Sequence, residues 1–143
     1  MNSIYRKFKD PDISSLVDLM AQLGYEHSTK SLLKNLDAVR GAGGEVFVCE
    51  ISGMVCGCVS AILDARLAAG LNGEITTLVV DKDHRGQGLG RGLVGHAETW
   101  LEQRVPSIRI RANTIRQDAH RFYESLGYSL SKTQAVFKKS LER

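Results

Sequence analysis

The sequence predicts a mixed α/β fold in which one β-sheet of about six to seven strands is flanked by about four helices. Segments with apolar residues at three- and four-residue spacings alternate with segments rich in β-branched residues. A chain of 143 residues is long enough to bury one core. Its composition, 43% hydrophobic and 24% charged, is that of a globular domain. We therefore expect a single domain over residues 1–143.

The first third of the chain predicts a strand followed by two helices. Residues 4–8 have the pattern of a short strand, and Asp10-Pro11-Asp12 suits the start of a helix. Apolar residues then recur on one helical face until Gly24. A second helix is expected from residue 28 to about residue 39.

Three strands follow in the middle of the chain. Residues 45–51 and 54–63 are rich in valine, isoleucine and cysteine, and the Ser52-Gly53 pair between them predicts a tight hairpin. Residues 64–73 are expected to form a loop. Residues 74–80 end in a nearly continuous apolar run, which predicts a central strand covered on both faces.

The last third predicts a long helix and the closing elements of the fold. Apolar residues mark one face of a helix from Leu89 to Leu101, and Pro106 limits its length. The remaining expected elements are a strand over residues 107–112, a helix over 118–126, and closing strands at 128–130 and 135–138. The predicted order is therefore β-α-α-β-β-β-α-β-α-β-β.

Composition argues against several classes of function. A formal net charge of +3 is small for a nucleic-acid-binding protein, and no apolar run reaches the length of a membrane span. The three cysteines, Cys49, Cys56 and Cys58, are odd in number and have no cluster of further ligands, so we expect neither disulfides nor a metal. Residues 1–10 lack the apolar run of a signal peptide, and we expect a cytoplasmic location.

The segment between the central strand and the long helix has the features of an anion site. Gly86, Gly88 and Gly90 remove side chains where the backbone must approach another group. The start of the following helix supplies unpaired N–H groups and the positive end of the helix dipole. Arg85 and Arg91 add positive charge. We therefore predict that a pyrophosphate binds here.

Two other phosphate-binding motifs do not fit. A nucleotide P-loop needs Gly-Lys followed by Ser or Thr, and that sequence occurs nowhere in the chain. Residues 90–95 match the dinucleotide fingerprint G-x-G-x-x-G, but they begin about ten residues after the strand, inside the predicted helix. The position expected to contact a ribose, about 20 residues further on, falls in a segment without a carboxylate.

The third interpretation is Arg85-x-x-Gly88-x-Gly90, and here the chain resembles the GNAT superfamily of acyl-CoA N-acyltransferases. The central motif of that family is Q/R-x-x-G-x-G/A after a buried strand. Residues 119–128, AHRFYESLGY, resemble its A-x-x-F-Y-x-x-x-G-F/Y segment, and residues 74–80 resemble its fourth strand. Two motifs in the right order and spacing make the resemblance specific.

The resemblance implies an enzyme that moves the acetyl group of acetyl-CoA to a primary amine of a small molecule or a protein. In the family the fourth and fifth strands splay apart, the pantetheine arm lies between them, and a backbone N–H near Leu78 or Val79 holds the thioester carbonyl. Asn113 is expected to replace an asparagine that members often carry where Arg116 stands. The cofactor-binding residues implied are Leu78, Val79, Val80, Arg85, Gly86, Gln87, Gly88, Leu89, Gly90, Arg91 and Asn113.

The resemblance also implies catalytic roles for Tyr123 and Glu74. Tyr123 matches a tyrosine that points at the coenzyme sulfur, where a phenol can protonate the leaving thiolate; the alternative is packing against Phe122. Glu74 matches a strand-four glutamate that deprotonates the amine in some members, and a solvent-exposed carboxylate is the alternative. A water chain remains open as the base, while surface roles are favoured for His84 and His120.

We expect direct attack of the amine, without a metal or a covalent enzyme intermediate. The acceptor is expected to contact residues 22–31 and 64–73, whose polar side chains include Glu26, His27, Asp64 and Arg66. No nucleic acid or membrane is expected as a partner, and homodimer formation is left open. The rival hypothesis is a non-catalytic acyl-CoA sensor or interaction module with the same fold.

Overall fold

The structure is a computed structural model that describes residues 2–112 and 117–141. Within them, one mixed β-sheet and four α-helices form, together with single 3-10 turns at Asp10–Asp12 and Lys82–His84. The strands are β1 (Ser3–Lys7), β2 (Glu45–Ile51), β3 (Met54–Arg66), β4 (Gly70–Val80) and β5 (Ile108–Ile110). The helices are α1 (Ile13–Gln22), α2 (Thr29–Gly41), α3 (Leu89–Glu102) and α4 (Gln117–Ser125).

The chain divides into two compact units, residues 1–111 and residues 112–143. The first unit holds the whole sheet and the helices α1, α2 and α3. The second unit holds α4, which ends in a turn at Gly127, where φ is 95° and the N–H donates to the Glu124 carbonyl at 3.0 Å. None of the helices in the described ranges combines the length and the apolar composition that crossing a bilayer requires.

The sheet has the order β1-β2-β3-β4-β5, and each neighbouring pair is antiparallel except the last. β4 and β5 run parallel because α3 forms the crossover between them, as a parallel connection requires. Their register places Gly73 opposite Ile108 and Ile75 opposite Ile110. This topology puts β4 between an antiparallel and a parallel neighbour.

Helices cover both faces of the sheet in the first unit. On one face, α1 and α2 bury Leu16 and Leu36 in a cluster that includes Cys58 and Val79 of the sheet. On the other face, α3 packs so closely that a Cβ built at Gly73 would lie 2.8 Å from the Leu101 side chain. Close packing of this kind requires glycine at the contact.

Short polar interactions fix the starts of the first two helices. Arg6 on β1 donates to both carboxylate oxygens of Asp12 at 2.8 and 2.9 Å, and also to Glu50 on β2 at 2.8 Å. This hydrogen bonding lowers the pKa of Asp12 below its usual value. At α2, the Ser28 hydroxyl accepts from the Ser31 N–H at 3.0 Å, which is the expected role of an N-cap serine.

The predicted mixed α/β class with one sheet and four helices is confirmed in the described residues, but the expected strand number is wrong. The sheet there has five strands rather than six to seven. The segments 128–130 and 135–138, expected as closing strands, have no regular secondary structure, and both lie within the described residues. Their apolar pattern permits a strand, but a strand forms only where a neighbour accepts its backbone hydrogen bonds.

The expected loop over residues 64–73 is also wrong, because most of it belongs to a hairpin. β3 continues to Arg66 and β4 begins at Gly70, with Asp64 opposite Asn72 in the ladder. The polar residues of these strand ends lie beyond the apolar core, so they lack the hydrophobic signal of a strand. Backbone pairing alone extends the strands there.

Candidate functional site

β4 contains a bulge close to its carboxyl end. Ser60 is paired with Thr76 and Cys58 with Val79, so a single β3 residue faces both Thr77 and Leu78. Thr77 has φ of 52°, which is a strained backbone conformation for a β-branched residue. Bulges of this kind interrupt the ladder and often lie beside active sites. At Thr77 and Leu78 the bulge therefore changes the direction in which the backbone N–H and C=O groups point.

β4 and β5 are paired over only a short distance. Their parallel pairing runs from Gly73 to Ile75 on β4, whereas β4 itself continues to Val80. Among residues 2–112 and 117–141, no strand pairs with the β5-side edge of β4 beyond Ile75. In the described residues, the backbone N–H and C=O groups of that edge therefore lack a partner strand. The predicted cofactor residues Leu78, Val79 and Val80 lie on this open edge.

The turn after β4 is held by Asp81. Its carboxylate accepts from Gln22 on α1 at 2.7 Å and pairs with His84 Nδ1 at 2.9 Å. The hydrogen bond from Gln22 is the main cause that lowers the pKa of Asp81 below its usual value. Gln22 also accepts from the Lys82 N–H at 2.9 Å. These contacts fix the direction in which the chain leaves the sheet, and they give His84 a structural role.

The glycine-rich segment then leads into α3. Gly86 and Gly88 have φ of 79° and 81°, and a Cβ built at either would meet no atom within 4 Å. Gly88 is the N-cap residue of α3, and its carbonyl accepts the Gly92 N–H at 3.1 Å. The N–H groups of the three residues between them precede this first helical bond and point out of the helix start. A group that approaches this helix start would meet no side chain at Gly86 or Gly88.

The remaining motif residues surround this helix start. Leu89 is buried and anchors the first turn of α3, whereas Arg85, Gln87 and Arg91 are exposed. The Nε of Arg85 donates to the Val80 carbonyl at 3.2 Å and so connects the segment to the end of β4. The cofactor residues predicted from Leu78 to Arg91 therefore follow one another along the end of β4, the turn and the start of α3, with Val79 and Leu89 buried and the others at least partly exposed.

Glu74 lies at the centre of a charged group that we call the arginine–carboxylate network, formed by Asp64, Arg66, Glu74, Arg109 and Arg111. Arg111 Nε donates to a Glu74 carboxylate oxygen at 3.0 Å, and Arg109 Nε lies 3.5 Å from the same oxygen. Arg109 also pairs with Asp64, which Arg66 contacts at 2.8 Å. The Glu74 side chain is only 9% exposed. Glu74 is thus a buried, ion-paired carboxylate.

The other predicted site residues lie outside this first unit. Tyr123 is on α4 in the second unit, where its ring packs edge-on against Phe122 with centroids 5.4 Å apart. Asn113, expected to contact the coenzyme, lies outside the described residues. The structure therefore places Glu74 on the same strand, β4, as the first three cofactor residues, and the role of Tyr123 stays a prediction.

The three cysteines are buried on β2 and β3. Burial raises the pKa of Cys49 and of Cys58 to about 12, and it also raises the pKa of Cys56. Such thiols carry almost no thiolate at neutral pH. In the part of the chain that the structure describes, no group of three or more His, Cys, Asp or Glu residues is placed to hold a metal.

The sequence did not reveal three features of the site. The bulge at Thr77 depends on the pairing of β3 with β4, and the Gln22–Asp81 contact joins residues 59 positions apart. Arg109 and Arg111 are visible in the sequence as the polar side of an alternating strand. Only the parallel register shows that they face Glu74.

Comparison with known proteins identifies relatives over most of the chain. The model of a family described as "Acetyltransferase (GNAT) family" matches residues 10–128. No curated protein matches the sequence.

Solved structures show the same fold at low sequence identity. A putative acetyltransferase from Agrobacterium tumefaciens C58 is 24% identical with a TM-score of 0.83, over 95% of this chain and 99% of that one. Glucosamine-6-phosphate N-acetyltransferase from Arabidopsis thaliana is 20% identical with a TM-score of 0.84, over 98% and 100%. An aminoglycoside antibiotic 6'-N-acetyltransferase from Acinetobacter haemolyticus is 18% identical with a TM-score of 0.82, over 99% and 100%.

Proposed function

The chain belongs to the GNAT acetyltransferase family, and we propose that it transfers the acetyl group of acetyl-CoA to a primary amine of a small molecule or a protein. The observation that carries the proposal is the continuous segment from the open edge of β4 to the start of α3. It offers backbone N–H groups at both ends, which suits a long cofactor with a pyrophosphate at one end and a thioester at the other.

We expect the pyrophosphate to bind at the start of α3. Its oxygens would accept from the N–H groups of Leu89, Gly90 and Arg91, which precede the first bond of the helix. Exposed Arg85 and Arg91 are placed in the same segment to add charge-assisted hydrogen bonds. The left-handed conformation of Gly88 leaves the approach open.

We expect the pantetheine arm to follow the open edge of β4 and to end at the bulge. There the thioester carbonyl would accept from a backbone N–H of Leu78 or Val79. An N–H fixed in place stabilises the negative charge that develops on this oxygen during attack. The strain at Thr77 supports such a role, since strained backbone conformations concentrate at functional sites.

In the proposed reaction the neutral amine attacks the thioester carbon directly. A C–N bond forms, the C–S bond breaks, and the products are an amide and free coenzyme A. An ammonium has a pKa near ~10.4, so a base must first remove one proton, and a second N–H proton leaves as the amide forms. We assign the base to Glu74, acting directly or through water, and proton donation to the thiolate to Tyr123. The net reaction releases one proton.

The cysteines support direct attack over a covalent enzyme intermediate. Cys49 and Cys58 are buried, and the pKa of each is raised to about 12. A thiol without appreciable thiolate is a poor nucleophile at neutral pH.

The proposal is tested in two steps with the purified full-length chain. Calorimetry with acetyl-CoA and with coenzyme A should each detect binding at one site, and absence of heat with both would overturn the proposal. A thiol-release assay should then detect turnover with at least one amine. Amino sugars and aminoglycosides are the first acceptors to try, because structural neighbours are named for acetylating such amines. Binding without turnover across amines and protein N-termini would favour the sensor hypothesis.

We also infer that the protein forms a homodimer in the cytoplasm. The support for a dimer is exposed apolar surface in residues 128–141, where Leu130, Val136, Phe137 and Leu141 are all exposed. Large apolar side chains grouped in one exposed segment are typical of interaction surfaces. We propose that these apolar side chains pack against a second copy of the chain.

A further inference from the structure

The sheet face beneath α1 and α2 changes from apolar to polar between two successive cross-strand pairs of β3 and β4. Cys58 and Val79 belong to the apolar cluster of that face. The next pair, Ser60 and Thr76, join their hydroxyl groups in a hydrogen bond. Glu74 is two residues further along β4. A buried polar floor next to an open strand edge is the arrangement expected of a substrate site.

The arginine–carboxylate network adjoins this floor through Glu74 and has an excess of positive charge. It contains three guanidinium groups, on Arg66, Arg109 and Arg111, and only two carboxylates, on Asp64 and Glu74. Arg109 Nε is buried and has no hydrogen-bond partner among the described residues. A buried donor without a partner is costly, so the network is electrostatically incomplete as it stands.

Of the two arginines that contact Glu74, Arg111 is the better placed to change partner. Its side chain is 44% exposed, compared with 9% for Glu74 and 28% for Arg109. Its ion pair with Glu74 uses Nε, so the remaining donors of the planar guanidinium point elsewhere. An incoming carboxylate or phosphate could therefore be bound in the bidentate geometry that arginine favours.

This contact conflicts with the role assigned to Glu74. The Arg111 hydrogen bond occupies Oε1 of Glu74, so that oxygen can take the amine proton only after Arg111 moves away, whereas the contact leaves Oε2 unaffected. If Glu74 acts as the base through Oε1, something must draw Arg111 away from it when the acceptor binds. A negatively charged group on the acceptor itself would do so, and it would couple binding of the correct substrate to activation of the base.

We infer that the acceptor carries an anionic group, a carboxylate or a phosphate, in addition to its amine, and that Arg111 exchanges Glu74 for this group. The inference rests on the proposed function and specifies its substrate class. Arg111 thereby acts as a specificity-determining residue, and Glu74 is released to take the amine proton. Arg109 keeps its ion pair with Asp64, so its positive charge stays next to Glu74 when Arg111 moves.

The test compares matched amines with and without the anion in the thiol-release assay. β-Alanine is paired with propylamine for the carboxylate, and O-phosphoethanolamine with ethanolamine for the phosphate. We expect kcat/KM to be at least about tenfold higher for the anionic member of at least one pair, and the pair that shows it identifies the anion. Equal kcat/KM within about twofold in both pairs would overturn the inference while leaving the proposed function intact.

The variant Arg111→Gln tests whether Arg111 itself binds the anion or whether the overall positive charge of the protein is sufficient. The substitution should lower the ratio of kcat/KM between the preferred anionic amine and its neutral partner about tenfold or more, because the group that binds the anion is removed. Arg104→Gln is the control, since it removes the same charge from an exposed position at the end of α3. An equal loss with Arg104→Gln, or an equal loss for both members of the pair, would overturn the inference. If none of the amines tested supported turnover, both the proposed function and the inference would be overturned.

Discussion

At the residue scale, Gly88 combines a left-handed backbone with open space where a side chain would be. We predict that Gly88→Glu lowers the affinity for coenzyme A by about 100-fold or more, because the carboxylate would occupy and repel the pyrophosphate position. The measurement is calorimetric titration with coenzyme A.

Gly70 provides a matched control for this substitution. It has φ of 78° and equally open surroundings, but it lies at the opposite end of β4. Gly70→Glu should therefore cause a similar backbone strain of about 1 kcal/mol while leaving coenzyme affinity unchanged. Equal losses of affinity in the two variants would mean that strain, and not the ligand position, explains the result.

Tyr123 is the second residue whose role can be isolated. We predict that Tyr123→Phe lowers kcat by about 10²-fold or more and leaves coenzyme affinity within about twofold, because only the proton donor is removed. The measurement is steady-state kinetics together with calorimetry. Tyr128→Phe is the control, since the family motif accepts Phe there, and we expect it to keep full turnover. Unchanged kcat in Tyr123→Phe would remove this residue from the mechanism.

At the scale of single elements, the bulge in β4 predicts that substitution by glycine changes stability differently at two adjacent threonines. Thr76 pairs regularly with Ser60, whereas Thr77 has positive φ. We predict that Thr76→Gly destabilises the fold by about 1 kcal/mol or more, while Thr77→Gly leaves it at least as stable. Denaturant unfolding of the two variants measures the difference. Equal destabilisation would contradict the bulge geometry.

The start of α1 depends on a carboxylate whose charge is stabilised by folding. Arg6 lowers the pKa of Asp12, so Asp12 contributes stability above its unfolded pKa near ~3.9 and loses it as the pH falls through the folded pKa. We predict that Asp12→Asn costs about 1–3 kcal/mol at pH 7 and that the difference from the parent chain becomes smaller as the pH falls through the lowered folded pKa of Asp12.

The measurement is the free energy of unfolding from pH 7 to pH 2. Asp18→Asn, on an exposed position of the same helix, is the control and should change stability by less than about 0.5 kcal/mol at pH 7. A cost for Asp12→Asn that is the same at pH 7 and pH 2 would show that the charge of Asp12 is not the source of its contribution.

At the scale of the whole molecule, the exposed apolar residues of segment 128–141 lead to a prediction about assembly. Phe137 is 93% exposed, and burying it between two chains would remove a large apolar side chain from water. We predict that the parent chain is a dimer in light scattering and that Phe137→Glu shifts it to a monomer. Leu67→Glu, the same change at an exposed turn residue, should leave the dimer intact. A monomeric parent chain would contradict the prediction.

The elements with a strong apolar period were the ones that the sequence predicted well. α1 starts at the first residue of its periodic face, and β2 covers residues 45–51 as expected. The hairpin over residues 64–73 and the closing segments were predicted wrongly because their outcome depends on backbone pairing. A polar segment such as the end of β3 forms a strand when a neighbouring strand accepts its backbone hydrogen bonds. An apolar segment without such a neighbour remains irregular.

The sequence by itself determined the helices, the glycine-rich segment and the family, since each depends on spacings of a few residues along the chain. The tertiary structure alone decided the bulge at Thr77, the open edge of β4 and the placement of Arg109 and Arg111 against Glu74. The reason is that strand register and cross-strand contacts join residues far apart in sequence, and local periodicity has no information about which residues become opposite neighbours.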